Sequence, residues 1–188
     1  MTTMTTTSVL TTSHLRPPEG GWTADDLDGF PDDGLRYELV DGVLLVSAAP
    51  SEEHQIALGN LHLLLSAAAP RELRVFFAPY DVRFTPRRQL QPDAVVVPRD
   101  RSAPDRRPLL VVEVLSPSTR ATDSTLKRHV FEQGGVPAYW LVDPLAPSLT
   151  VLELRDGAYE QVAHAAGDDA VDVTSPFAVR VVTSALLD

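Results

Sequence analysis

"LLVVEVLSPSTRATDSTLKRH", residues 109–129, opens with seven positions that are apolar except for Glu113. A short run that is apolar on both alternating faces reads as a strand covered on both sides in the middle of a sheet. An unpaired ionised carboxylate in such a strand would cost several kcal/mol unless it were paired, hydrogen-bonded or metal-bound. Glu113 shares a face with Val111 and Leu115, so that face must open onto a polar pocket. The "SPST" that follows reads as a turn, with Ser116 and Ser118 making the turn and capping a helix. No neighbouring histidine base would activate either as a nucleophile. The helix is predicted from about Thr122 to Gly134. At about 100° per residue, with Leu126 set at zero, Val130 falls near 40°, Asp123 near 60°, Lys127 near 100° and Phe131 near 140°, so Asp123 and Lys127 lie inside the apolar stripe. Arg128 and His129 point outward. Lys127 is the only lysine in the chain, the other fifteen basic residues being arginine. The alternative for Asp123 and Lys127 is an i,i+4 pair on a solvated face.

Working outward, "PDAVVVP" reads as a strand entered through Asp93, so Asp93 and Glu113 can reach one point if their strands are neighbours. The alternative for Asp93 is a turn or strand-start residue after Pro92. "LRYELVDGVLLVSAAP" gives two strands joined by Asp41-Gly42, the chemistry of a tight hairpin. Asp156-Gly157 predicts a second hairpin in "LTVLELRDGAYEQVA". "SEEHQIALGNLHLLLSAAAP" reads as a helix capped by Ser51 and closed by Pro70. A shorter helix is expected in "WTADDLDGF", strand material in "LRVFFAPYDVRFT" and "AYWLVD", and a loop in "RDRSAPDRRP". Hairpins mixed with a strand–helix–strand unit predict an α/β or α+β domain with a mixed sheet and an N-terminal β-hairpin.

The chain has 188 residues, of which 44% are hydrophobic, enough for one domain with a sizeable core. We expect a flexible Thr-rich tail over residues 1–20 and one domain over 21–188. With no cysteine, disulfides and thiolate chemistry are excluded. The N-terminal residues lack the make-up of a secretory signal, and no apolar run is long enough to span a bilayer, so the expectation is a cytoplasmic protein without membrane contact. The net charge of −10 argues against wrapping nucleic acid, but charge is unevenly spread. Residues 71–128 carry 12 basic and 7 acidic residues, net +5, whereas residues 21–70 carry 1 arginine and 9 acids, net −8.

Two carboxylates and a lysine suit a hard divalent cation such as Mg²⁺, which takes oxygen ligands and retains waters. Such a cation would activate water while Lys127 stabilises charge on a phosphate, the parts of a phosphodiester hydrolysis. A buried structural ion pair is the other reading of Glu113.

"YELVDG", "QPDAVVV", "LLVVEVLSPST" with "DSTLKR", and "GVPAYWLVDP" resemble, in order, the blocks of the Uma2 (DUF820) family within the PD-(D/E)XK restriction-endonuclease-like superfamily. The likeness runs from about residue 22 to 155. It implies a restriction-endonuclease-like mixed sheet flanked by helices and a Mg²⁺-dependent endonuclease, with Mn²⁺ as a substitute metal and DNA as the substrate. It further implies Asp93 and Glu113 as metal ligands and a lysine completing the site. The usual lysine lies two positions after the acid, where this chain has Leu115, so the resemblance gives the role to Lys127. Glu38 resembles a family position that could join the metal, an outward strand glutamate being the alternative. His54 could lie near the phosphate, a capping or surface histidine being the alternative. Arg87, Arg88 and Arg120 are the arginines expected to contact nucleic acid. A homodimer is expected by analogy with nucleases that cut both strands. Two other readings stay open: a non-catalytic module that binds nucleic acid or protein, and a phosphoester hydrolase acting on a small molecule.

Overall fold

The computed structural model describes residues 16–100, 102 and 107–188. Most of the expected Thr-rich tail and half of the Arg/Pro/Asp-rich loop lie outside the described residues.

A six-stranded sheet forms the centre, in the order β10-β9-β8-β7-β6-β3. Its strands are β3 (Leu73–Phe77), β6 (Ala94–Pro98), β7 (Leu110–Val114), β8 (Ala138–Asp143), β9 (Ser148–Arg155) and β10 (Ala158–Ala166). β7 holds the interior position read from its sequence, antiparallel to β6 and parallel to β8. Alternation sorts its side chains onto two cores. Leu110, Val112 and Val114 face Leu58, Leu61 and Leu65 of helix α2 (Glu52–Ala68), while Val111 packs with Val95, Val97, Tyr139 and Phe131 on the other side. Glu113 belongs by alternation to the Val111 face.

That second face is covered by a smaller sheet of β1 (Arg36–Val40), β2 (Val43–Ser47), β4 (Val82–Thr85) and β5 (Arg88–Leu90), in the order β2-β1-β5-β4. Val40, Val82 and Leu90 bring it into the shared core. The β1–β2 hairpin turns at Asp41-Gly42 with φ of 52° and 83°, and the β9–β10 hairpin at Asp156-Gly157 with 49° and 84°. Positive φ at both central residues is what the twist of a two-residue hairpin demands, and Asp-Gly supplies it cheaply. A ribbon of β11 (Ala170–Val173) and β12 (Val179–Val182) adds Val171, Val173, Val179 and Val181 to the α2 core. Helix α1 (Ala24–Leu27) starts at Thr23, whose capping box closes on Asp26 rather than on a glutamate.

The segment after β7 departs from a plain helix. Thr122–Lys127 forms a π-helical turn before helix α3 (Arg128–Gln133), and the Arg128 N–H donates to the Asp123 carbonyl five residues back. Asp123 and Lys127 are buried, as the periodicity predicts, whereas Leu126, at the edge of the expected apolar stripe, is 37% exposed. The wider π turn takes in an extra residue and rotates Leu126 outward, while Val130 and Phe131 complete the apolar face beyond it.

Candidate active site

Asp93 sits one residue before β6, and Glu113 is the fourth residue of β7; the two strands pair directly, Ala94 opposite Val112. Where this ladder ends, the Asp93 carboxylate takes over, Oδ2 accepting the Val114 N–H at 2.8 Å. Oδ2 also meets His54 Nε2 at 3.0 Å, and Oδ1 accepts from Arg36 Nη2 at 2.8 Å. Burial alone would discourage ionisation of Asp93. The His54 contact, the Arg36 charge and the Val114 N–H outweigh it and hold the carboxyl well below the usual range.

Lys127 projects from the π turn into a ring of carboxylates. Its Nζ lies 2.8 Å from Glu38 Oε2, 3.2 Å from Glu113 Oε1 and 3.4 Å from Asp123 Oδ1. All four side chains are buried. Burial pulls the ammonium towards neutrality, but Glu113, Glu38 and Asp123 together push its pKa above the ordinary lysine value. Glu113 goes the other way. Desolvation lifts it well above the ordinary glutamate value, with Lys127 opposing and the surrounding carboxylates reinforcing the lift. Asp123 is raised for the same first reason.

β1 ties the two halves together. Arg36 and Glu38 stand two residues apart on one face of the strand, so one reaches Asp93 and the other Lys127. Glu38 is fixed from behind by the Gln91 N–H at 2.8 Å. His54 stands in the first turn of α2, where Ser51 accepts its backbone N–H, and its Nδ1 is buried without a hydrogen-bond partner among the described residues. The result is a pocket of about 350 Å³ lined by Arg36, Ser51, His54, Asp93, Glu113 and Lys127. Ser116 lies at its edge and makes the expected turn, its Oγ accepting from the Thr119 N–H at 3.2 Å.

Five of the sequence candidates thus converge: Asp93, Glu113, Lys127, Glu38 and His54. Leu115 is buried and takes no part in the charge cluster. The three arginines lie elsewhere. Arg87 clasps the first hairpin, Nη2 donating to the Asp41 carbonyl at 2.9 Å. Arg88 is held by Asp41 and by Gln133 Oε1 at 2.6 Å, beside a separate cleft of about 370 Å³. Arg120 pairs with Asp143 at 2.6 Å. Arg36 was not picked out from the sequence, although its i,i+2 relation to Glu38 is the signal that places both on one face.

The matched family model is Uma2, described as "Putative restriction endonuclease", and it covers residues 24–184. The chain belongs to the Uma2 family. The fold of this Uma2 chain is also that of a solved structure, "a putative nuclease belonging to DUF820 from Anabaena variabilis ATCC 29413". The two superpose with a TM-score of 0.71 at 20% identity, over 88% of this chain and 97% of the other. No curated protein matches the chain. Among the described residues, no helix is long and apolar enough to cross a membrane.

A divalent cation can be judged against the donor set of this Uma2 pocket. Four buried carboxyl groups, Glu38, Asp93, Glu113 and Asp123, face two permanent cations, Lys127 and Arg36. The donors are hard oxygens, and Asp123 Oδ1 has only the Lys127 ammonium, at 3.4 Å, as a neighbour of opposite charge among the described residues. Among the described residues, no three His, Asp or Glu side chains are spaced as a ready-made cage. Mg²⁺ is ordinarily held by one or two carboxylates plus waters and substrate phosphates. The donor set is therefore chemically compatible with a hard divalent cation.

Proposed function

We propose that this chain is a Mg²⁺-dependent endonuclease that hydrolyses phosphodiester bonds in DNA, with Mn²⁺ an effective substitute. The observation that carries the reading is the meeting of Asp93 and Glu113, from paired strands, with the buried Lys127 ammonium in one pocket. Family membership supports the nuclease class.

In this reading Asp93 and Glu113 hold the cation, which when bound supplies Lewis acidity towards the phosphate and an incoming water. The protein's own groups do the rest. Lys127, kept protonated by three carboxylates, cannot serve as a base at neutral pH; its role is to stabilise negative charge that develops on the phosphate. Glu38, anchored by the Gln91 N–H, holds Nζ in place. His54 orients Asp93 through Oδ2. A carboxylate buried against a lysine and an arginine costs stability as a purely structural device, and a charge-handling role accounts for its being there.

The test is cleavage of supercoiled plasmid and of labelled single- and double-stranded oligonucleotides, DNA and RNA, with Mg²⁺ or Mn²⁺. Nicking of DNA by the wild type, abolished by chelator and lost in folded Glu113→Gln, is the expected result. Wild-type cleavage by folded Glu113→Gln would overturn the assignment. Salt-sensitive DNA binding without cleavage in any divalent metal would instead establish the non-catalytic binding module.

A further inference from the structure

Two permanent cations of the pocket, Lys127 and Arg36, oppose the cation that the proposed function requires, and Arg36 is the one paired with Asp93. Its Nη2 is 2.8 Å from Asp93 Oδ1, and its side chain is 20% exposed where that of Asp93 is 2% exposed. The other Asp93 oxygen already accepts from His54 and the Val114 N–H. A carboxylate offers about four lone-pair positions, and three of these are in use. Oδ1 is thus the oxygen with room for a metal, and Arg36 is the group on it. The guanidinium is also the least constrained of the three by burial and backbone. The Val114 N–H is fixed in a central strand, and His54 is buried in the first turn of α2, whereas Arg36 reaches in from the first residue of β1 on a long side chain with access to solvent.

We propose that Arg36 is a displaceable counter-ion: it neutralises Asp93 in the cation-free protein and competes with the divalent cation for Oδ1, setting the affinity of the site. The assignment rests on the metal-dependent reading above. Arg36 is a positioning residue in this scheme, because it acts on the cation through Asp93. Like charges compete for one carboxylate whether or not substrate is present, so the effect is visible in metal binding by the isolated protein. An arginine fork holds a carboxylate oxygen through directed N–H donors, and a neutral amide at the same position keeps a donor while removing the charge.

The experiment is Mn²⁺ binding, followed by electron paramagnetic resonance of the free ion, to the wild type, Arg36→Gln and Arg36→Lys, each checked for folding by circular dichroism. Arg36→Gln is expected to bind Mn²⁺ about ten-fold more tightly than the wild type, equivalent to about 1.4 kcal/mol. Arg36→Lys, which keeps the charge, is expected to stay near the wild-type affinity, and it preserves the comparison if Arg36→Gln fails to fold. In that case Arg36→Met removes the charge instead, with the same tightening expected, and unchanged or weaker Mn²⁺ binding by folded Arg36→Met refutes the competition. Unchanged or weaker binding by folded Arg36→Gln would overturn the proposal while leaving the nuclease reading intact. Equal tightening in both variants would overturn charge competition. Absence of Mn²⁺ binding by all three proteins, with and without duplex DNA, would remove the metal-dependent reading itself.

Discussion

Replacing Lys127 by methionine removes the charge at nearly constant volume and leaves Glu38, Glu113 and Asp123 without their shared cation. The ammonium lies 2.8, 3.2 and 3.4 Å from the three carboxylates, and none of the four side chains is more than 4% exposed. At such separations each pair attracts with about 5–6 kcal/mol at an effective dielectric constant of about 20, largely offset by desolvation. Removing one partner of a buried ion pair costs about 3–5 kcal/mol, because the remaining charge stays buried. The carboxylates limit the loss by taking up protons, so about 3–5 kcal/mol is also the range expected here. For a chain of this size that is a fall in Tm of roughly 6–20 °C. Urea and thermal unfolding at pH 7 measure it. The deficit should be larger at pH 8 than at pH 5: the wild-type lysine is charged throughout, since its folded pKa lies above 10.5, whereas the orphaned carboxyls are increasingly protonated as pH falls. Glu113→Gln is the control. It removes a carboxyl whose ionised form burial disfavours and leaves Lys127 with Glu38 and Asp123, so its cost should stay within about 1 kcal/mol. A Lys127→Met protein within about 1 kcal/mol of the wild type, or a Glu113→Gln protein as damaged as Lys127→Met, would refute the reasoning.

Asp93, held below its ordinary value of 3.8, contributes stability that is present above that pH and lost as pH falls through the folded pKa. Acid unfolding of Asp93→Asn between pH 5 and 2 should therefore be shallower than that of the wild type, and parallel curves would contradict this. The two Asp-Gly turns offer an internal comparison. Gly42 and Gly157 share φ of 83° and 84°, but a Cβ at Gly42 would collide with the Arg87 guanidinium, while one at Gly157 meets nothing within 4 Å. Gly157→Ala should cost about 1–2 kcal/mol, the backbone penalty alone, and Gly42→Ala measurably more. Equal Tm losses would show that Arg87 moves aside freely.

The site was legible where one-dimensional pattern and three-dimensional placement share a cause. A carboxylate inside an unbroken apolar strand has no cheap fate but a polar pocket, and Glu113 occupies one. Lys127 was legible because its helical phase puts it among core residues, and burial bears this out. The π turn of Thr122–Lys127 was not legible, because no local residue announces it. Glu38 and His54 each had a plausible surface reading, since a lone strand glutamate or helix-start histidine is ordinarily solvated; both are buried with partners far along the chain, Glu38 with Gln91 and Lys127 and His54 with Asp93. Arg36 meets Asp93 across 57 residues, a contact fixed by how the small sheet lies on the large one. The β11–β12 ribbon was also missed. Its valines alternate over only four residues per strand, too short a run to separate from loop.

Calorimetric titration of Mg²⁺ and Mn²⁺ into the wild type, Asp93→Ala and Glu113→Ala, with folding confirmed by circular dichroism, addresses the central claim most directly. The account predicts stoichiometric binding by the wild type and its loss in both folded variants, because the two acids share one cation. Wild-type-like binding in either folded variant, or a folded wild type that takes up no metal even with duplex DNA added, would contradict it.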